Sequence, residues 1–111
     1  MTIDYDEFSR LELRVGRILE AKEVEASRSL TKLLVDVGED RPRQIVAGLK
    51  GTYEAKKLVG RKIVVLTNLA PKKLMGLESK GMLLAADVGG KPFLLGVDEQ
   101  NGEVPPGSVV R

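Results

Sequence analysis

The sequence predicts a small, mainly β protein: a five-stranded barrel with one short helix between strands three and four, extended at its N- and C-termini. Three observations predict it. Apolar and polar residues alternate at a period of two in the first two apolar segments, and further short β-branched or apolar runs follow, separated by Gly and Pro. A phase slip at Gly16 inside the first run signals strong curvature, which a small closed barrel requires. One internal segment, after Gly51, carries helix start and stop signals. The length is that of a single domain, residues 1–111.

Each element follows in order. Leu11, Leu13 and Val15 alternate with Glu12 and Arg14, and Ile18 falls on the opposite parity, so one long strand bends at Gly16 and reaches toward Val24. Residues 25–29 lack large apolar side chains and form a loop. Leu33, Val35 and Val37 mark the second strand. Residues 38–42 turn the chain, because Gly38 tolerates positive φ and Pro42 cannot join a central ladder. Arg43 to Ala47 is the third strand. Gly48 and Gly51 bracket a break, Thr52 caps a helix Tyr53 to Val59, and Gly60 ends it. The β-branched run Ile63 to Leu66 is a buried fourth strand. A long connection spans Leu69 to Lys80. Met82 to Val88 is the fifth strand, which Gly89-Gly90 turns into a sixth, Pro92 to Val97, with Phe93 in the core. Three strands, a helix and two more strands, with a glycine bend in the first, is the element order of the oligonucleotide/oligosaccharide-binding (OB) barrel. In an SH3-like barrel the helix would be misplaced.

Absences narrow the function. The chain has no Cys and no His, which removes thiol nucleophiles, disulfides, most zinc sites and imidazole bases. No matched acid/base pair stands in for them, so the expectation is a non-catalytic protein without cofactor or metal. Asp36, Glu39 and Asp40 lack the spacing of a calcium loop and read as turn carboxylates. No charge-free apolar run approaches the roughly 18 residues of a membrane span. The leader, with Asp4, Asp6 and Glu7, has the wrong charge for a signal peptide. A cytoplasmic protein with no membrane partner is expected.

The formal net charge of +2 hides a segregation. Residues 1–40 hold six basic and ten acidic side chains, residues 41–80 ten and two, and residues 81–111 two and four. The binding side of an OB barrel is the face of strands two and three with the loops joining strands one to two and four to five. Lys32 lies on strand two, Arg43 on strand three, Arg28 in the first loop, and Lys72, Lys73 and Lys80 in the second. Their convergence would attract a polyanion; the plainer alternative is a solvated face. Arg14 either joins them or pairs with Glu12 or Asp36. Lys56, Lys57 and Lys62 read as solubility residues. With two Tyr, two Phe and no Trp, a base-stacking platform is not expected, and recognition should run through phosphates, sugars and RNA shape. Asn68 either binds RNA or bonds its own turn, and Ser79 is a phosphate or ribose contact or a turn hydroxyl. Met82 touches an exposed base or is a core methionine, and Gly81 serves close backbone approach or a bend.

The stretch Asn68 to Ala86, with Asn-Leu-Ala-Pro and then Ser79-Lys80-Gly81-Met82, resembles the tRNA-binding domain family. Leu13-Arg14-Val15-Gly16-Arg17-Ile18, residues 33–38 and residues 43–49 extend the likeness along nearly the whole chain. That family includes the C-terminal domain of bacterial methionyl-tRNA synthetase and free-standing structure-specific tRNA-binding proteins. The resemblance implies an OB-fold homodimer that grips the outside corner of tRNA without chemistry, free-standing or as the tRNA-binding subunit of methionyl-tRNA synthetase. It also implies a dimer interface built from the two ends of the chain: Tyr5 and Phe8 at one, Val104, Pro105, Pro106 and Val109 at the other. A secretion-chaperone branch of the family binds polypeptide as a dimer and differs at the Ser-x-Gly-Met segment. It is the alternative.

Overall fold

A computed structural model describes residues 1–111. The leader forms a one-turn helix, α1 (Tyr5–Ser9), started by Asp4. The Asp4 carboxylate accepts the Glu7 N–H while Glu7 reaches back to the Asp4 N–H, a capping box. Ten strands follow: β1 (Leu13–Glu23), β2 (Thr31–Asp36), β3 (Arg43–Ala47), β4 (Lys62–Leu66), β5 (Lys72–Leu74), β6 (Leu77–Ser79), β7 (Met82–Leu83), β8 (Ala85–Val88), β9 (Lys91–Leu94) and β10 (Val109–Val110). The main sheet runs β3-β2-β1-β4-β7, with β10 added at the start of β1; β5-β6 and β8-β9 are separate hairpins. The result is mainly β, a nearly closed five-stranded barrel of the OB type.

The long first strand makes closure possible. Its first half pairs with β4, from Leu13 opposite Leu66 to Arg17 opposite Lys62, and its second half pairs with β2, from Arg17 opposite Asp36 to Glu23 opposite Thr31. Inside lie Ile18, Leu33, Val35, Ile45, Ile63 and Val65, joined by Val37, Leu49, Leu58 and Leu83. The ladder does not bulge at Gly16, as the sequence suggests, but between Ile18 and Glu20. Gly16 instead marks a close approach: a Cβ there would stand 2.6 Å from Val35 Cγ1 and 3.2 Å from Val65 Cγ2. The strand can cross the core this closely only without a side chain.

Other expectations are corrected. The helix expected over residues 53–59 is a single 3-10 turn, Ala55–Lys57. Thr52 does not cap it: the N-cap is Glu54, whose side chain makes no cap bond, and the Thr52 and Tyr53 N–H groups donate to the Leu49 carbonyl in preceding turns. Tyr53 is pinned by tertiary partners: its hydroxyl accepts the Leu94 N–H at 3.1 Å and Arg61 lies 5.2 Å over its ring. So short a segment does not nucleate a helix against such anchors. The connection 69–80 folds into the β5–β6 hairpin, whose tip holds Met75 and Gly76 at φ 52° and 78°. The fifth strand breaks at Leu84, and Phe93 is 46% exposed rather than buried in the core. Lys62 is no solubility residue. Its ammonium donates to Glu99 at 2.6 Å and lies 3.8 Å from Glu103.

That last contact ties the C-terminal arm to β4. Lys62, and secondarily the Val104 N–H, hold the Glu99 carboxyl below the usual carboxylate range. A group depressed in the folded state stabilises above the unfolded carboxylate's range and loses that contribution as pH falls through the lowered value. In acid titrations of Tm, Glu99→Gln is therefore expected to flatten the decline; an unaltered slope would show that the arm is held by other means. Gly16→Ala should cost about 1–3 kcal/mol in denaturant unfolding, the range for overpacking a filled core.

Candidate nucleic-acid interface

No ladder joins β3 to β7, so the barrel closes through the segment following β6. The Lys80 N–H donates to the Gln44 carbonyl at 2.8 Å. The Val46 N–H donates to Ser79 Oγ at 3.0 Å, and that hydroxyl donates onward to the Gly81 carbonyl at 3.1 Å. Gln44 adds its side-chain amide to the Glu78 carbonyl. Gly81 sits at φ 137°, where a Cβ would stand 3.2 Å from the Leu66 carbonyl oxygen. Ser79 and Gly81 are thus buried pieces of the seam, and Met82, 47% exposed, faces out beside them.

The seam docks the β5–β6 hairpin on β3 and aligns the cations. Lys22 stands opposite Lys32, Lys32 opposite Val46, Val46 bonds Ser79, and Ser79 stands opposite Lys72. One lateral row therefore runs from β1 across β2 and β3 to the hairpin. Lys73 is next along the hairpin and Lys80 is at its exit. Lys32, Lys72 and Lys73 make no salt bridge, and Lys80 has only a solvent-exposed pair with Glu78 at 3.6 Å. Such a pair is weak and easily exchanged. Arg28 lies exposed in the β1–β2 loop.

The remaining candidates have internal work. Arg43 grips Glu39 with Nε and Nη2, each at 2.7 Å, and Nη1 donates to the Thr67 and Lys80 carbonyls at 2.6 and 3.1 Å. The fork holds the Glu39 carboxyl low and the Arg43 guanidinium high, hydrogen bonding being the main cause for both. Arg14 donates to the Gly107 carbonyl at 2.9 Å and lies 4.0 Å from Glu12. Asn68 accepts the Glu12 N–H and donates to the Arg10 carbonyl, fastening the leader to the end of β4. Tyr53 offers no free stacking face near the row, given its Arg61 and Leu94 partners.

Beside the cations lies an apolar groove of about 300 Å³, bounded by Val46 and Ala47 on β3, Leu69 and Ala70, Leu74 on the hairpin, and Met82. Lys72 stands on its rim. The arrangement can hold phosphates along the row and an apolar ring or side chain in the groove.

Residues 13–108 match the model of a family described as "Putative tRNA binding domain". The chain belongs to this family. It is 51% identical over 109 residues to a methionine–tRNA ligase of Methanopyrus kandleri and 46% identical to that of Methanosarcina acetivorans, each alignment covering 98% of this chain. The chain spans only 16% and 15% of those two proteins' lengths. Among solved structures it is similar to a MetRS related protein of Pyrococcus horikoshii, with 37% identity and a TM-score of 0.89 over 100% of this chain and 99% of that one. The chaperone CsaA of Bacillus anthracis matches at 28% identity and a TM-score of 0.88, with both chains fully covered.

In this tRNA-binding-family domain the sequence reading missed two things. The first is Lys22, whose place opposite Lys32 depends on the register after the Leu19 bulge. The second is the hairpin within 69–80, legible only as the pair Met75-Gly76 between short polar-apolar runs. Ser79→Ala should cost about 1–3 kcal/mol in urea unfolding, because it orphans the buried Val46 N–H and leaves the Gly81 carbonyl short of a donor. A loss below 0.5 kcal/mol, roughly that of an ordinary surface substitution, would mean the seam does not depend on this hydroxyl.

Proposed function

We propose that this chain is a non-catalytic, structure-specific tRNA-binding module of the cytoplasm, gripping the outside corner of tRNA as a homodimer. It works either free-standing or as the tRNA-binding part of methionyl-tRNA synthetase. The observation that carries the reading is the row Lys22, Lys32, Lys72 with Lys73 and Lys80, of which only Lys80 makes an ion pair, an exposed one with Glu78 at 3.6 Å. Family membership and the methionine–tRNA ligase relatives support the choice of tRNA. Rings are absent from the row, so binding rests on phosphate and sugar contacts and on the contour of a folded RNA.

The homodimer reading is supported by where the ends of the chain meet. β10 pairs with the first residues of β1, Val110 opposite Leu13 and Val109 opposite Arg14, while Asn68 fastens the leader nearby. Ile3, Tyr5 and Val109 are 60%, 69% and 52% exposed, with Phe8 half-buried 6.4 Å from Tyr5. Both ends of the chain flank the start of β1, and a two-fold copy would cover such exposed apolar side chains. Val104 and Pro106 are half-buried within the chain, leaving Pro105 and Val109 for the partner. Two such rows on one axis would engage one tRNA with raised effective concentration.

Gel filtration with and without bulk tRNA, followed by titration at several salt concentrations, tests both halves. The expected outcome is a dimer that co-migrates with folded tRNA, loses affinity steeply with salt, and prefers it to an unstructured RNA of equal length. Lys73→Glu should weaken binding about tenfold or more with the dimer intact. Equal affinity for the unstructured RNA removes shape recognition, and a monomer removes the homodimer.

A second reading has one observation behind it. The apolar groove at Met82 would accept a peptide side chain, in keeping with the likeness to CsaA. Protection of an unfolding client at high salt, where phosphate contacts fail, would favour it.

A further inference from the structure

A second cleft, of about 450 Å³, opens between the β2–β3 turn and the connection after β4. Its lining includes the cations Arg41, Arg43 and Lys80, together with Thr67, Leu69 and Pro71. Glu39 is the one carboxylate lining it, and that carboxylate is committed to the Arg43 fork at 2.7 Å twice over. Arg41 is exposed and makes neither a salt bridge nor a side-chain hydrogen bond. Lys80 has only its weak surface pair with Glu78. The cleft is therefore lined by two available cations together with an exposed leucine and a proline. A phosphate flanked by a sugar or base presents that combination of charge and apolar surface.

We propose that this cleft is a phosphodiester subsite, with Arg41 and Lys80 as the two contacts and the Arg43–Glu39 fork holding its walls apart. The proposal rests on the tRNA reading and lengthens the interface past Lys80, around the seam to the β2–β3 turn. Its ligand is the backbone of the RNA already held by the lysine row, because Lys80 belongs to both. Arg43 acts here as a positioning residue: its guanidinium spans the turn, the end of β4 and the exit of the hairpin, and points its donors at protein carbonyls.

The test is titration of bulk tRNA against the wild-type chain, Arg41→Gln, Glu39→Gln and Lys73→Glu at several salt concentrations. Arg41→Gln is expected to weaken binding about tenfold and to make the salt dependence shallower by about one ion, with Tm unchanged. Glu39→Gln discriminates by sign. It removes a negative charge beside the RNA, so bare electrostatics expects tighter binding, whereas loss of the fork that shapes the cleft expects weaker binding. Tighter binding by Glu39→Gln overturns the proposal. So does Arg41→Gln with wild-type affinity or an unchanged salt slope while Lys73→Glu is impaired, and in that case the tRNA reading stands. A wild-type chain that fails to bind tRNA overturns both. Inorganic phosphate at constant ionic strength should leave Tm unchanged; a rise that Arg41→Gln abolishes would assign the cleft to a free anion and overturn the RNA assignment.

Discussion

The barrel's weakest join is also the one that arranges its surface. β3 has a ladder on one side only, and on the other it is held by a single backbone bond from Lys80 to Gln44, the hydroxyl of Ser79 and the side chains of Arg43 and Gln44. A buried hydroxyl that accepts one backbone bond and donates another does at this seam what a strand pair does elsewhere. Gly81 lets the chain pass the Leu66 carbonyl immediately afterward. Because residues 78–81, which make these bonds, leave the β5–β6 hairpin and lead into β7, closing the barrel and placing the hairpin's lysines are one event.

This coupling changes how the Ser-x-Gly-Met segment is understood. Its serine and glycine face inward and serve geometry, while the lysine between them and the methionine after them face solvent. The motif alternates structural and surface positions with the period of a strand. Arg43 extends the logic. It lies within the basic block, yet its five-donor fork is turned to Glu39 and two carbonyls, a geometry that a lysine could not reproduce. Charge at a position therefore does not by itself mean charge offered to a ligand.

Much of the fold was legible because it rests on local chemistry. Period-two alternation marked β1 and β2, short apolar runs marked β3 and β4, all within about two residues, and Gly89-Gly90 marked the β8–β9 hairpin. Misreadings arose where distant partners override local preference. The stretch 53–59 has helix signals, but Leu94 and Arg61 hold Tyr53 in place and leave only a 3-10 turn. Phe93 sits in an apolar run, but the β8–β9 hairpin stands apart from the main sheet and turns the ring toward solvent. Gly16 does not carry the ladder's bulge, which lies between Ile18 and Glu20; the position is required instead by Val35 beneath it.

By itself the sequence determined the class of the protein, the order of β1 to β4 and of the β8–β9 hairpin, and the segregation of positive charge into residues 41–80, since each depends on residue type and short-range spacing. It also excluded imidazole and thiol chemistry through what it lacks. Only the tertiary structure decided which cations are available. Pairing of Arg43 with Glu39, Lys62 with Glu99 and Lys32 with Lys22 depends on turns and registers that bring together residues four to thirty-seven positions apart. Whether a side chain meets solvent or a carbonyl is settled by the last fraction of a turn in the backbone, a property of the closed barrel and not of any one stretch of chain.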